Sequence, residues 1–328
     1  MRLASFEVAT DVGPARRVGV VEDDGTDGNP RYVDVTAGYG ASLAAEGRQS
    51  PAALAATEAP TDMQSFLERG GSAMDAARRA REFVAFDADE RGPGGARCWY
   101  DADEVRLLSP VPRPNTLRDC MAYEEHVKNS LGGEVPDVWY ELPVYYKGNP
   151  ESVVHPGEEV EWPSYTESLD YELELAAVVG REGRDLDAEE ASDYIAGYTV
   201  FNDFSARDIQ GKEMQGRLGP TKGKDFANGF GPYLVTADAV DIASITLTAE
   251  VNGETWSEGT PGEMYHTFPE LLAYISRHET LYPGDVVGSG TVGRGCGLEL
   301  GRWLEPGDTV RLGAEEIGKL EHTVVRPE

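Results

Sequence analysis

Basic residues are scarce in this sequence. Its 328 residues include 29 Lys and Arg against 59 Asp and Glu, a formal net charge of −30. So acidic a chain repels phosphate backbones and anionic lipid, which excludes nucleic acid and membrane surfaces as expected partners. Cysteine is scarcer still. Cys98, Cys120 and Cys296 are odd in number and widely spaced, which argues against both a disulfide framework and a zinc site. No apolar run reaches the roughly 18 residues of a membrane span, and the opening MRLASFEVATDVG lacks the apolar stretch of about 7–15 residues of a secretory signal. A reducing cytoplasm is the expected setting. The acids are dispersed through sequence that is 40% hydrophobic, so the charge does not imply disorder. Dispersed acidity suits molar salt, where screening shortens repulsion to about 3 Å, and a halophilic source is expected.

What is present divides near residue 108. Residues 1–108 read as a small N-terminal domain, with strands at Leu3–Val8, Arg17–Glu22 and Tyr32–Val35 separated by glycine-containing turns. Helices are expected near Ala41–Glu46, Met63–Glu68 and Ser72–Phe83, the last with an apolar stripe of Met74, Ala77, Ala80 and Phe83. The proline-rich Leu108–Asn115 can continue neither a helix nor a central strand and reads as a linker. Residues 109–328 are β-rich. Pro156-Gly157-Glu158, Pro283-Gly284-Asp285 and Pro306-Gly307-Asp308 have the form of type II turns, each leading into a valine-bearing strand. Acid caps open one helix at Asp187, ending at Gly197, and a Thr267–Glu270 capping box opens another running to about His278. The expected class is β-rich α+β, a mixed β-roll or sandwich with peripheral helices.

The sharpest feature is Asp170-Tyr-Glu172-Leu-Glu174-Leu-Ala-Ala-Val-Val-Gly180. In a strand, Glu172, Glu174, Ala176 and Val178 share one face and Leu173, Leu175, Ala177 and Val179 the other. Two carboxylates on a buried face repel each other and lose hydration, so they face water or something positive lies between them. A hard divalent cation suits an all-oxygen ligand set. The next strand, Tyr198–Asp203, ends in an acid and is followed by Arg207, Gln210 and a loop carrying Lys222 and Lys224. The Gly288–Gly293 run spells a dinucleotide fingerprint but is not followed by a long helix, so a Rossmann site is rejected.

Glu172-x-Glu174 followed by Asn202-Asp-Phe-Ser-Ala-Arg-Asp-Ile-Gln210 resembles the signature of the fumarylacetoacetate hydrolase superfamily, over about residues 108–326. The resemblance implies a fumarylacetoacetase-like catalytic domain whose metal carboxylates match Asp119, Glu172, Glu174 and Asp203. It implies Mg²⁺ or Ca²⁺, with Mn²⁺ a further candidate, and a homodimer. It makes His126 a general base oriented by Glu299, and gives Arg207, Gln210 and Lys224 substrate and oxyanion contacts. Tyr146 and Thr291 match substrate-binding positions. Met121, Met214 and Asn228 stand where the mammalian-type enzyme has other substrate-touching side chains, which leaves substrate identity open. The remaining histidines fit no motif and read as structural.

The implied activity is metal-dependent hydrolysis of a carbon–carbon bond in a 1,3-diketo acid, fumarylacetoacetate or another acylpyruvate, by water activated at His126. Decarboxylation, isomerisation and sugar-acid dehydration in the same superfamily are alternatives, as is an inactive metal-binding protein. Short decarboxylating members carry His-x-x-Glu, whereas position 129 here is Asn.

Overall fold

The computed structural model describes residues 1–23, 29–86 and 91–327, and the chain divides into two units, Met1–Pro112 and Arg113–Glu328. The first contains β1 (Arg2–Thr10), β2 (Gly13–Asp23), β3 (Pro30–Asp34), α1 (Val35–Ala45), α2 (Pro51–Glu58), α3 (Met63–Glu68), α4 (Gly71–Phe83), β4 (Trp99–Asp101) and β5 (Val105–Leu108). β1, β2 and β3 form an antiparallel meander where strands were expected; β4 joins β3, and β5 joins β1. The turn between β2 and β3 lies mostly outside the described residues. α1 starts six residues earlier than expected because Asp34 caps it, accepting the Ala37 N–H at 2.9 Å. Helix α2 was not foreseen. Its run is alanine-rich with Pro at the first position, which favours a helix without an amphipathic signature. In α4 the buried stripe is Ala73, Ala76, Ala77 and Ala80, whereas Met74 is half-buried and Phe83 exposed. The cause is the close approach of α1: a Cβ on Gly38 would lie 3.1 Å from Ala80 Cβ, leaving room only for small side chains.

Of the expected linker, Leu108 belongs to β5, and residues 109–115 are irregular but packed, with Ser109 and Val111 buried and the Ser5 hydroxyl donating to the Pro110 carbonyl at 2.6 Å.

The second unit runs β6 (Leu117–Cys120), α5 (Glu124–Leu131), α6 (Asp137–Glu141), β7 (Tyr145–Gly148), β8 (Val153–Val154), β9 (Glu159–Glu161), β10 (Leu169–Asp170), β11 (Leu173–Val179) and β12 (Gly183–Arg184). It continues α7 (Ala188–Ala191), β13 (Ile195–Asp203), β14 (Ser205–Ala206), α8 (Arg207–Gln215), β15 (Asn228–Thr236), β16 (Leu247–Val251) and β17 (Glu254–Gly259). It closes with α9 (Phe268–Ile275), β18 (Thr280–Leu281), β19 (Val286–Gly288), α10 (Gly297–Leu300), β20 (Thr309–Ala314) and β21 (Gly318–Val325). Strands of this unit pair in the order β15-β13-β11-β19-β6-β7, and a second sheet runs β17-β16-β20-β21-β9. Leu173, Leu175, Ala177 and Val179 of β11 share one apolar core with Leu247 and Ala249 of β16 and Val310 and Leu312 of β20. This is the β-rich α+β, sandwich-like architecture expected. Among the described residues, no helix is long and apolar enough to cross a membrane.

The three Pro-Gly-acid turns form as read. Gly157, Gly284 and Gly307 have φ of 79°, 88° and 99°. In each, the acid N–H closes a turn onto the residue before proline at 3.0 Å. Each acid side chain also accepts that residue's own N–H, from His155, Tyr282 and Glu305. The helix expected to end at Gly197 is instead the single turn of α7 plus a 3₁₀ turn, and Gly197 sits inside β13. Strand pairing overrides the cap there, because β15 comes so close that a Cβ on Gly197 would lie 2.1 Å from the Val235 carbonyl oxygen. The Thr267–Glu270 capping box is formed, and α9 ends at Ile275, three residues earlier than expected.

Two outcomes follow from this packing. Gly197→Ala has no flexible neighbour to displace, so denaturant unfolding should show a loss of about 3 kcal/mol or more, or no soluble protein at all. His322 is buried, and burial pushes its imidazole down to about 4 from 6.5 despite the opposing backbone contacts of His155 and Val154. The unfolded chain therefore takes up a proton between pH 6.5 and 4 that the folded chain resists. Stability due to this group is full above pH 6.5 and falls as pH drops through that window, by on the order of 3 kcal/mol. Urea titrations across it should show a shallower acid slope in His322→Leu; equal slopes would refute the assignment.

Candidate metal and catalytic site

The register of the first sheet assembles a row of acids. Glu174 lies opposite Phe201 on β13, two residues before Asp203; Asp119 of β6 lies opposite Gly288 of β19 and Tyr146 of β7. Paired residues share a face, so Glu174, Asp203, Asp119 and Tyr146 project together while Leu173, Leu175 and Val200 enter the core. Glu172, just before β11, bridges to Cys296 and completes the set. Gly288 makes room for it: a Cβ there would lie 2.3 Å from Asp119 Oδ1.

All four acids are buried, and one oxygen of each lies within 4.8 Å of the others. The solvated-face alternative left open by the spacing is thereby removed. Lys224 Nζ donates to Glu172 and, at 2.5 Å, to Asp203, and Arg207 Nη2 makes an ion pair with Glu172 at 2.8 Å. Burial pushes Glu172 up, but Arg207 and Lys224 outweigh it and hold its carboxyl well below the usual range. Glu174 is driven well above that range by burial and then by the charges of Asp119, Glu172 and Asp203; burial and Asp203 do the same to Asp119. Two cationic side chains do not compensate four buried carboxylates. Asp119 Oδ1 and Asp203 Oδ1 are also buried without a hydrogen-bond partner. A hard divalent cation fits this all-oxygen donor set and its uncompensated charge.

Beside the acids stands a second constellation. His126 on α5 has Nδ1 2.9 Å from Glu299 Oε2 on α10. Glu299 also accepts Asn129 Nδ2 at 2.8 Å and the Arg294 N–H at 3.0 Å. Burial raises its carboxyl, but the hydrogen bond and charge of His126, with Asn129 and Arg294, outweigh that and hold it below the ordinary value. An ionised Glu299 fixes the His126 tautomer with the proton on Nδ1, leaving Nε2 as the basic nitrogen. The Nε2 contact is to the Ser130 hydroxyl, at 3.5 Å.

A cavity of about 520 Å³ connects the two constellations. Asp119, Glu172, Glu174, Lys224, His126, Tyr146, Gln210 and Thr291 line it, as do Met121, Val144, Met214, Leu218 and Pro220. Tyr146 donates to Asp203 at 2.7 Å and Thr291 to Glu174 at 3.3 Å. Two expected contacts lie elsewhere. Arg207 does not line the cavity; it is a buried brace, with Nε on Asp170 at 2.8 Å and Nη1 on Gln210 at 3.0 Å. Asn228 also stays out of the lining, because its side chain points to Ser152, donating at 2.7 Å. Sequence reasoning gave no role to Asp170, Asn129 or Glu213. Glu213 accepts the N–H groups of Thr221, Lys222 and Gly223, so it holds the loop that presents Lys224. Of these, only Asp170 carried a signal: it continues the alternation of Glu172 and Glu174.

Residues 115–325 match the family model described as fumarylacetoacetate (FAA) hydrolase C-terminal. The chain is 34% identical over 271 residues to a mitochondrial oxaloacetate tautomerase of Homo sapiens, covering 81% of this chain and 80% of that protein. It is 30% identical over 271 residues to an oxaloacetate tautomerase of Bacillus subtilis, covering 81% and 87%. Among solved structures, fumarylacetoacetate hydrolase from the psychrophile Exiguobacterium antarcticum aligns over 99% of this chain and 100% of its own, at 28% identity and a TM-score of 0.70. Matched over well more than half its length, the chain belongs to the fumarylacetoacetate hydrolase family.

Proposed function

We propose that this protein is a divalent-cation-dependent enzyme acting on a short 2-oxo acid through its enol, and that its reaction is keto–enol tautomerisation of an oxaloacetate-type substrate. The observation that carries the reading is His126, paired with Glu299, on the wall of the cavity that Asp119, Glu172 and Glu174 also line. Asp119, Glu172, Glu174 and Asp203 would hold Mg²⁺, Ca²⁺ or Mn²⁺. When bound, such a cation polarises a carbonyl and lowers the acidity barrier of the neighbouring C–H. His126 Nε2 takes the proton from that carbon and, as imidazolium stabilised by Glu299, returns one to oxygen; the reverse sequence restores the ketone. Lys224, which bridges Glu172 and Asp203, keeps a positive charge at the cavity wall where the enol oxygen develops negative charge. Arg207 holds Glu172 in place and does not touch substrate. The two tautomerase relatives favour this chemistry over the carbon–carbon hydrolysis expected from the sequence.

Hydrolysis of an acylpyruvate is the second reading, and the apolar lining favours it. Met214 and Leu218 are exposed at the cavity mouth and, with Met121, Val144 and Pro220, offer a surface for an acyl tail that oxaloacetate lacks. In that reaction His126 would take its proton from water.

Purified protein with Mg²⁺ should accelerate loss of the oxaloacetate enol absorbance, and EDTA should abolish the effect. His126→Gln should lower kcat by about 10²–10⁴-fold, the usual contribution of a positioned general base. A metal-loaded, folded protein that leaves the enol decay at its spontaneous rate would sink the tautomerase reading. In parallel, acetylpyruvate and a longer-chain acylpyruvate should be assayed for released pyruvate. Release that is faster with the longer chain, and slowed by Met214→Ser with Leu218→Ser, would establish the hydrolytic reading instead.

A further inference from the structure

Asp170 does not line the site cavity, yet it is fully buried and its two oxygens receive four donors. Oδ1 accepts the Tyr171 N–H at 3.0 Å and the Gly297 N–H at 2.7 Å. Oδ2 accepts Arg207 Nε at 2.8 Å and the Leu298 N–H at 3.0 Å. These contacts lead to both halves of the site. The Arg207 guanidinium continues to Glu172, one of the four metal-site carboxylates, at 2.8 Å. Gly297 and Leu298 open α10, whose next residue is Glu299, the partner of His126.

Helix α10 is only four residues long, too short to hold its own geometry, and its first N–H groups have no partner within the helix. Asp170 supplies the acceptors. The fit is tight, because a Cβ on Gly297 would lie 2.6 Å from Asp170 Oδ1 and 2.2 Å from the Arg302 carbonyl oxygen. Asp170 is itself pinned where β10 pairs with β14, opposite Ser205 and two residues from Arg207.

We propose that Asp170 is a positioning residue that couples the two halves of the site: one carboxylate sets both the guanidinium that holds Glu172 and the helix start that aims Glu299 at His126. This rests on the proposed function only for what each half does. The test therefore reads geometry and binding rather than turnover. Mg²⁺ affinity is measured by titration calorimetry. The Nδ1–H resonance of His126 is followed by NMR in the metal-free protein, assigned by its loss in His126→Gln.

Two one-sided controls bracket the answer. Arg207→Lys should weaken Mg²⁺ and leave the His126 resonance in place. Glu299→Gln should move the resonance and leave Mg²⁺ affinity unchanged. Asp170→Asn keeps one acceptor oxygen but faces Arg207 or α10 with an amide. It should do both, weakening Mg²⁺ by about 10–100-fold, the usual effect of removing a support behind a metal ligand, and shifting or broadening the His126 signal. Should Asp170→Asn fail to fold, Gly297→Ala presses a methyl group against Oδ1 and should likewise move both readouts. A folded Asp170 or Gly297 variant that moves only one readout, or neither, overturns the coupling, as does a parent protein with no affinity for Mg²⁺, Ca²⁺ or Mn²⁺. Absence of turnover in a parent that binds Mg²⁺ would instead count against the tautomerase reading and leave the coupling standing.

Discussion

The burial of four carboxylates on one sheet face constrains everything around it. Each such group prefers water, and four within mutual reach repel one another through a medium that screens poorly. The fold answers with Lys224 and Arg207, both themselves buried, and with backbone and hydroxyl donors from the Gly290–Thr291 loop onto Glu174. Those compensations are unequal. Glu172 receives both cationic side chains, whereas Asp119 and Asp203 each keep a bare oxygen. The asymmetry describes a place where positive charge is still wanted. It also explains why so many neighbouring groups are polar and tied down: any slack would let the acids move apart and solvate.

Close packing serves the same end. Gly288 and Gly297 are positions where a methyl group would strike a site carboxylate, and Gly197 keeps β13 and β15 close enough to carry Asp203. The opposite face of β11 contributes only Leu, Ala and Val to the core between the two sheets. A rigid apolar floor under a strained polar face fixes the spacing of the acids without further ties among them.

Much of this was readable from residue order. The alternation of Glu172 and Glu174 against Leu173 and Leu175 gave both faces of β11, and the Pro-Gly-acid turns gave three strand starts, because each depends only on near neighbours. His126 meets Glu299 across 173 residues of chain, a pairing that the family signature implied and no local pattern could give. The misreadings have a common origin in tertiary contact. Gly197 looks like a helix stop until β15 lies against it, and α4 turns its alanines inward because Gly38 lets α1 come near. Arg207 has the right residue type and place for a substrate contact, yet its guanidinium is consumed by Asp170 and Glu172. That Asp170 serves α10 as well depends on a chain segment 127 residues away.

The reaction is less legible than the site because the parts that do chemistry do not by themselves select a substrate. A base oriented by a carboxylate, next to a place for a dication, can withdraw a proton from carbon or from water with the same geometry. What separates the two outcomes is which proton donor is held near Nε2, and that is decided by the less polar wall. Met121, Val144, Met214, Leu218 and Pro220 lie there, and neither backbone pairing nor charge compensation dictates their identity. The chain is similar both to a protein named as a tautomerase and to one named as a hydrolase. On the proposed reading, substrate choice in this chain rests with the apolar side chains of that wall.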